Sequence, residues 1–419
     1  MAASRTLVLA SLLSAAAIAL ADASISDVVV NQRWPWNEKV DVDFILSGET
    51  ADVYVTARWD GHPEPCILGT AFSCTPGSHR FTWDPAASEF AGQTLTGFTV
   101  SLSNALASTR PYLVVDLENG GHEFLPGVPS DGWTAAHKSS KMVFRRIPAG
   151  TYTLGEPVET FDHLDHYDPG SVGTTNCNRR TVTFTGDFYV GIYKYTEAQH
   201  AYLASETPST SYVPKLISYN ALRGEKSGDD SLSVDWPAKG YRVAADSIVA
   251  KLRAKAGAGL VADLCEEEQW EVAARANTIT FWPTGGTMSE TLTTHTNQVN
   301  QFVAWYGNTG SSAQKEVGTK ADNGWGLYDV SGLAGEWTLD TARNYGTSTP
   351  LLGLPATSVD PTGAQDWNLR IIKGASGNGS RTGLWELLPC RRQMADPSST
   401  SYTTRFCIHL KPLGSLSFD

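Results

Sequence analysis

From residue 25 to about residue 113, apolar and polar residues alternate with a period of two. VDVDFIL (40–46), ADVYVTARWD (51–60), HRFTWD (79–84) and LTGFTVSLS (95–103) each carry that alternation, and clusters of Gly, Pro and Asp separate them. Alternate side chains of a strand face opposite sides of its sheet, so this pattern predicts a small antiparallel β-sandwich over 24–115. Neither a helical period nor a catalytic constellation stands out there. The RWPWN stretch (33–37) sets two Trp residues close together. They either close an end of the sandwich or offer a stacking surface to a sugar.

ENGGHEFLPGVPSDGW (118–133) is rich in Gly, Pro and Asp, and 116–140 reads as a linker. The second domain is expected over 141–415. MVFRRIPAGTYTLG (142–155) predicts two short strands around a Pro-Ala-Gly turn, and FYVGIYKYTEAQHAYLA (188–204) a strand running into a helix. Thr196 followed three residues later by Gln199 forms a capping box that sets where this helix begins. DSIVAKLRAKAG predicts a second helix from a cap at Asp246 to Gly257. A third, EEEQWEVAARA (266–276), places carboxylates in its first turn, where the helix dipole favours them. The rest is mostly loop with short strands and many Gly. Such segments need bound ions, disulfides or buried aromatics to hold them. The fold class that follows is a loop-rich α+β domain preceded by a small all-β domain.

The first 23 residues change the expected location. Arg5 precedes a short apolar run, and Ala21-Asp22-Ala23 forms a small-x-small cleavage site, which reads as a secretory signal peptide. No later stretch is apolar enough to span a bilayer. The expectation is a mature chain that is secreted or held in the periplasm or cell envelope, where disulfides are permitted. Cys66 with Cys74, and Cys390 with Cys407, are the candidate pairs, and no CxxC motif suggests zinc or thioredoxin-like chemistry. The formal net charge of −12 argues against a nucleic-acid partner, because phosphate binding needs a basic surface. FDHLDHYD (161–168) mixes two His with three Asp, an incomplete metal site or a solvated acidic loop. No GxSxG elbow or phosphate-binding glycine loop is present.

Several segments of the second domain, in order, resemble the formylglycine-generating enzyme (sulfatase-modifying factor) family. LCEEEQWEVAARA resembles that family's acidic helix at Leu264, Glu267, Trp270, Glu271, Ala273, Ala274 and Arg275. GNTGSSAQKEVGTKADNGWGLYDVSGLAGEW (307–337) resembles its most recognisable block, and IIKGASG with the later CRRQ and RFC resembles its closing segment. The resemblance covers about 141–410 and implies a fold related to C-type lectins. It also implies a structural calcium held by Asp329, Gly332, Ala334 and Glu336, two carboxylates and two backbone carbonyls of one tight loop suited to a hard ion. Leu333 and Gly335 depart from the family's usual Asn and Trp at those positions.

The family's reaction oxidises a cysteine of a sulfatase segment to formylglycine with O₂, and two cysteines bind copper(I) for that step. Soft thiolates suit that ion. Counting from Lys373 in KGASGNGSRTGLWELLPC (373–390), the two positions fall on Gly379 and Leu384. The expectation is therefore a binding module without the copper site. Gly377, Asn378, Gly379, Arg381, Leu384, Trp385, Arg391 and Arg392 would form a surface for a protein, peptide or glycan ligand. A protein of a diversity-generating system, with its C-terminal loops varied, is a special case. A divergent metal-dependent oxidase acting on a protein cysteine is the alternative, and a structural envelope protein a third.

Overall fold

The computed structural model describes residues 23–33, 39–60, 62–85, 94–106, 111–155, 179–225, 243–257, 260–278, 315–342, 357–361, 369–374 and 389–410; within these, side chains 52, 54, 56, 62–73, 103–106 and 342 are not described. RWPWN beyond Arg33, FDHLDHYD and residues 1–22 lie outside this set.

Among the described residues the N-terminal region holds β1 (Ser24–Gln32), β2 (Val40–Ser47), β3 (Ala51–Trp59), β4 (His62–Cys74), β5 (Gly77–Trp83) and β6 (Thr99–Leu106). They form two antiparallel sheets, β1-β2-β5 and β4-β3-β6. β2 shows how the alternation works. Val42, Phe44 and Leu46 are buried, the last two in a cluster with Ala51, Val53 and Cys74. The intervening Asp41 and Asp43 accept paired hydrogen bonds from Arg33 (2.8 and 2.8 Å) and Arg80 (2.6 and 2.9 Å).

The disulfide expected between Cys66 and Cys74 does not form. Both residues lie on β4, and eight strand residues span about 26 Å, far beyond the roughly 7 Å limit between bridged Cα atoms. Cys74 is a buried thiol. The Cys390–Cys407 pair is also corrected: Cys407 is a buried thiol on β19, Cys265 is a buried thiol just after β13, and Cys390 is disulfide-bonded.

The second region begins with β7 (Tyr112–Asp116) and β8 (His122–Leu125), a 3-10 turn (Ala135–Lys138), β9 (Lys141–Ile147), β10 (Gly150–Leu154), β11 (Arg180–Phe184) and β12 (Phe188–Gly191). Next come α1 (Glu197–Ala204), α2 (Tyr219–Arg223), α3 (Ile248–Ala256), β13 (Leu260–Leu264) and α4 (Glu267–Arg275). It closes with β14 (Glu336–Ala342), β15 (Thr357–Val359), β16 (Leu369–Lys373), β17 (Gln393–Ala395), β18 (Thr403–Thr404) and β19 (Phe406–Leu410). A six-stranded sheet runs β13-β19-β12-β9-β7-β8, a four-stranded one β17-β16-β14-β18, and a three-stranded one β10-β11-β15.

The expected linker is part of this second region. β7 pairs with β9 in antiparallel register, Val114 opposite Val143, and β8 pairs with β7. The Gly-rich stretch is their turn. Asp116 Oδ1 accepts from the Glu118 and Asn119 amides at 2.9 and 2.8 Å, and Gly120 and Gly121 take φ of +79° and +94°. Glycine adopts that left-handed backbone without a steric cost. The strands flanking the Pro-Ala-Gly turn both exist but join different sheets, β9 with β12 and β10 with β11.

Local signals position the helices. Thr196 Oγ1 accepts from the Gln199 amide at 3.0 Å, and Gln199 Oε1 accepts from the Thr196 amide at 3.1 Å, closing the expected capping box. α3 is capped one residue later than expected, by Ser247 Oγ accepting from the Ala250 amide at 3.2 Å. α2 carried no periodic signal. Its Arg223 is seated on Asp263 of β13 by bonds of 2.7 and 2.9 Å, and Arg253 of α3 adds a third at 3.0 Å. Every residue of α4 is buried, its carboxylates included.

Candidate functional site

Two buried charge clusters meet at α4, and they hold the chain on either side of residues 375–388, which lie outside the described residues. The first is built on Glu271, which is fully buried. Its Oε1 accepts from Arg275 Nε and the Gly155 amide, each at 2.9 Å; its Oε2 accepts from Arg180 Nη2 at 3.0 Å and Lys373 Nζ at 3.4 Å. Arg275 lies one turn along the same helix, Arg180 begins β11 and Lys373 ends β16. One carboxylate thus ties together three elements far apart in sequence. Burial pushes the Glu271 carboxyl up, but the Arg180, Lys373 and Arg275 charges outweigh it and hold it well below the usual range.

Glu267, one turn earlier, takes Lys373 Nζ at 3.4 Å and Arg392 Nε at 2.7 Å on the same oxygen. Its backbone amide donates to Asp340 Oδ2 of β14 at 2.5 Å. The uncompensated carboxyls beside it behave differently. Burial, then the nearby Asp340 and Glu267 charges, pushes Glu268 up to about 8. Burial and Glu267 push Asp340 up to about 6.

The second cluster lies under the GLYD block. Asn323 fixes the block to α4: its Nδ2 donates to the Ala273 and Ala274 carbonyls at 2.8 and 2.9 Å, and its Oδ1 accepts from the Trp325 and Leu327 amides. The turn that follows is tightly wound, with φ of +56° at Asp329, +88° at Gly332 and +66° at Leu333. A left-handed Leu is strained where Asn would be tolerated, so the departure at 333 costs stability. The departure at Gly335 has a packing reason: a Cβ there would lie 2.6 Å from Ile372 and 3.1 Å from Tyr402. The space of a side chain is already filled.

The four positions expected to hold calcium do come together in this turn, and Lys194 lies among them. Its ammonium, fully buried just beyond β12, donates to the Ala334 carbonyl at 2.9 Å and to Glu336 Oε1. Glu336 Oε2 accepts from Trp270 Nε1 at 3.1 Å and Arg405 Nε at 3.2 Å. Arg405 also donates to the carbonyls of Gly191 (2.7 Å), Ile192 (2.9 Å) and Tyr328 (2.7 Å), stitching the turn to β12. Burial lowers the Lys194 pKa against the pull of Glu336 and raises that of Asp329.

Gly374 joins the two clusters. Its carbonyl accepts from the Gly332 amide at 2.8 Å, its φ is +80°, and a Cβ would lie 2.9 Å from Trp270. The chain therefore leaves β16 in a fixed direction. It returns at Cys390, held by a disulfide, and Arg392, held by Glu267.

Arg392 was expected on the ligand surface; at 7% exposure and paired with Glu267 it belongs instead to the buried α4 cluster. Arg391 is half-buried. Gly377, Asn378, Gly379, Arg381, Leu384 and Trp385 lie outside the described residues. Sequence reasoning singled out neither Lys194, Arg180 nor Arg405 as site residues. The available signal was a lone basic residue inside an otherwise apolar segment, as in GIYKY and RFCI.

Residues 133–401 match the family model described as the sulfatase-modifying factor enzyme 1-like domain. Among solved structures the chain is similar to PvdO from Pseudomonas aeruginosa, at 17% identity over 66% of this chain and 97% of that one, with a TM-score of 0.44. It is similar to Treponema denticola variable protein 1 at 18% identity over 67% and 98%, TM-score 0.41. A third, CarF, aligns at 15% identity over 62% and 98%, TM-score 0.32. No curated protein matches the chain.

Proposed function

The chain belongs to the sulfatase-modifying factor enzyme 1-like family, and from that premise we propose that it is an exported binding module whose ligand surface replaces the family's copper chemistry. The observation that carries this reading is the anchoring of the chain on either side of residues 375–388. Glu267 holds Lys373 at one end and Arg392 at the other, and Gly374 is bonded to the GLYD turn. Loops on a rigid scaffold present side chains for recognition, and a base fixed in advance lowers the ordering cost of binding.

The residues present do not fit a copper(I) site. Gly379 and Leu384 bring no sulfur to the two positions the resemblance marks. Cys390, the nearest cysteine in sequence, is disulfide-bonded and offers no thiolate. Cys407 is buried in the sheet, and burial raises its thiol well above the usual range, which disfavours the thiolate a soft metal needs. Within residues 375–388, Arg381 and Trp385 are the strongest contact candidates by chemistry, a planar cation and a large aromatic. The partner is a protein, peptide or glycan. A net charge of −12 speaks against nucleic acid. Among the described residues no helix is long and apolar enough to cross a membrane, and the signal-like first 23 residues support export.

The test takes the mature chain, supplies copper(I), O₂ and a cysteine-containing sulfatase peptide, and follows the peptide by mass spectrometry. No formylglycine is expected. In parallel, glycan and peptide arrays are probed with the wild type and with Arg381→Ala and Trp385→Ala, which should lose binding at an unchanged melting midpoint. Peptide turnover with stoichiometric copper would overturn the proposal.

A further inference from the structure

We infer that the cation holding the Asp329–Glu336 turn is the chain's own Lys194 ammonium, in place of the calcium that the family resemblance implies, so that this turn folds without a divalent ion. The inference stands apart from the binding proposal and rests on the donor set of the turn.

Calcium requires roughly six to eight oxygen ligands at about 2.3–2.6 Å. Each of the four positions is engaged in another way. The Ala334 carbonyl accepts from Lys194 Nζ at 2.9 Å, and Glu336 Oε1 accepts from the same ammonium. Glu336 Oε2 accepts from Trp270 and Arg405. The Gly332 carbonyl accepts from the Ala334 amide at 2.9 Å. Asp329 Oδ2 accepts from the Gly318 amide at 2.6 Å, leaving Oδ1 buried without a hydrogen bond. Apart from Asp329 Oδ1, these oxygens already face N–H donors, whose positive ends repel an added cation.

Charge balance leads to the same result. Lys194 and Arg405 carry two positive charges against two negative ones on Glu336 and Asp329, so the buried cluster is neutral in its charged form. A divalent ion would leave it with two uncompensated positive charges in a site closed to water, which is strongly unfavourable. An ammonium reproduces part of calcium's role, since it is a compact cation with three donors that can bridge a carboxylate and a carbonyl. Here it also ties β12 to β14, elements 142 residues apart in sequence at this contact.

The experiment compares thermal unfolding of the full mature chain, wild type and Lys194→Ala, after exhaustive chelation and again in millimolar calcium. The wild type is expected to melt at the same temperature in both. Lys194→Ala is expected to melt lower after chelation and to recover several degrees in calcium, because the emptied site then presents anionic oxygens without their cation. Should Lys194→Ala fail to fold, the wild-type arm decides alone: an unchanged midpoint supports the inference. A wild-type midpoint that falls by several degrees on chelation and returns with calcium overturns it, as does a Lys194→Ala chain that melts like the wild type and ignores calcium.

Discussion

In β2 of the sandwich, Asp41 and Asp43 turn away from the apolar core and meet arginines whose side chains are 40% and 57% exposed. In α4 of the second region, Glu267, Glu268 and Glu271 lie inside, and cations brought from other elements meet Glu267 and Glu271. The same residue types therefore serve opposite purposes. Sandwich ion pairs decorate a fold that apolar alternation already specifies. Those of the second region substitute for the regular core that a loop-rich chain lacks, because each buried carboxylate collects several distant segments at one point. A surface pair contributes little, whereas breaking a buried one leaves a charge stranded in a poor solvent. The two regions should respond to charge removal very differently.

The sharpest way to break the comparison is Glu271→Ala. It removes the carboxylate shared by Arg180, Arg275 and Lys373, leaving Lys373 to Glu267, and frees the Gly155 amide. Loss of one partner from a buried network costs about 3–5 kcal/mol. Denaturant unfolding of the whole chain should show that loss, or the variant should fail to accumulate. A change below about 1 kcal/mol, the range of exposed pairs, would mean the α4 network is not what holds this region.

A milder test uses pH. Glu268 titrates at about 8 in the folded chain against an ordinary value of 4.5. Between these values the folded state binds more protons than the unfolded one. Its contribution is complete below the unfolded pKa and is lost as pH rises through about 8. Lowering pH from 9 to 7 should therefore add about 1 kcal/mol of stability through Glu268, because a tenfold change in a protonation equilibrium is worth about 1.4 kcal/mol, against which the buried Lys194 and Lys373 act in the opposite direction. The window stops at 7 because burial keeps His409 and His200 neutral, and charging them at lower pH opposes folding. Asp41 behaves oppositely. Its bonds to Arg33 and Thr82 hold it down to about 2, so its contribution is constant above 4 and lost only as pH falls towards 2. Hydrogen exchange, corrected for intrinsic rates, should slow in α4 peptides between pH 9 and 7 and stay level in β2 peptides. Equal responses in both would sink the distinction.

How much of this could be read in advance follows from the same contrast. β2 was legible because a strand's period maps directly onto burial. α4 was legible as a helix and as a family motif, yet the glutamates at its start read only as a first turn favoured by the helix dipole, not as buried carboxylates awaiting distant cations. Nothing local reveals Arg180 or Lys373, whose partnerships exist only after β11 and β16 are placed. Lys194 was hidden for the same reason, with Glu336 142 residues away. The Gly-rich stretch after β7 was misread because Asn119, Gly120 and Gly121 suit a linker as well as a hairpin turn. The signal that it was a turn is the run YLVVD just before it, an apolar strand suited to burial on both faces and in need of neighbouring strands.

The smallest expected effect is the one that best isolates the contrast. Arg80 makes contacts with Asp43 as short as those Arg180 makes with Glu271, at 2.6 and 2.9 Å against 3.0 Å. Distance alone would rank Arg80 as the stronger pair. It is nevertheless 57% exposed, so water screens the attraction, and the freed Asp43 can be hydrated where it stands. Glu271, stripped of Arg180, has no water to turn to. Arg80→Ala should leave the melting midpoint of the chain unchanged within error, and Arg180→Ala should lower it clearly. If instead Arg80→Ala lowered it as far, the sandwich too would depend on its ion pairs, and solvent access would not be what separates the two regions.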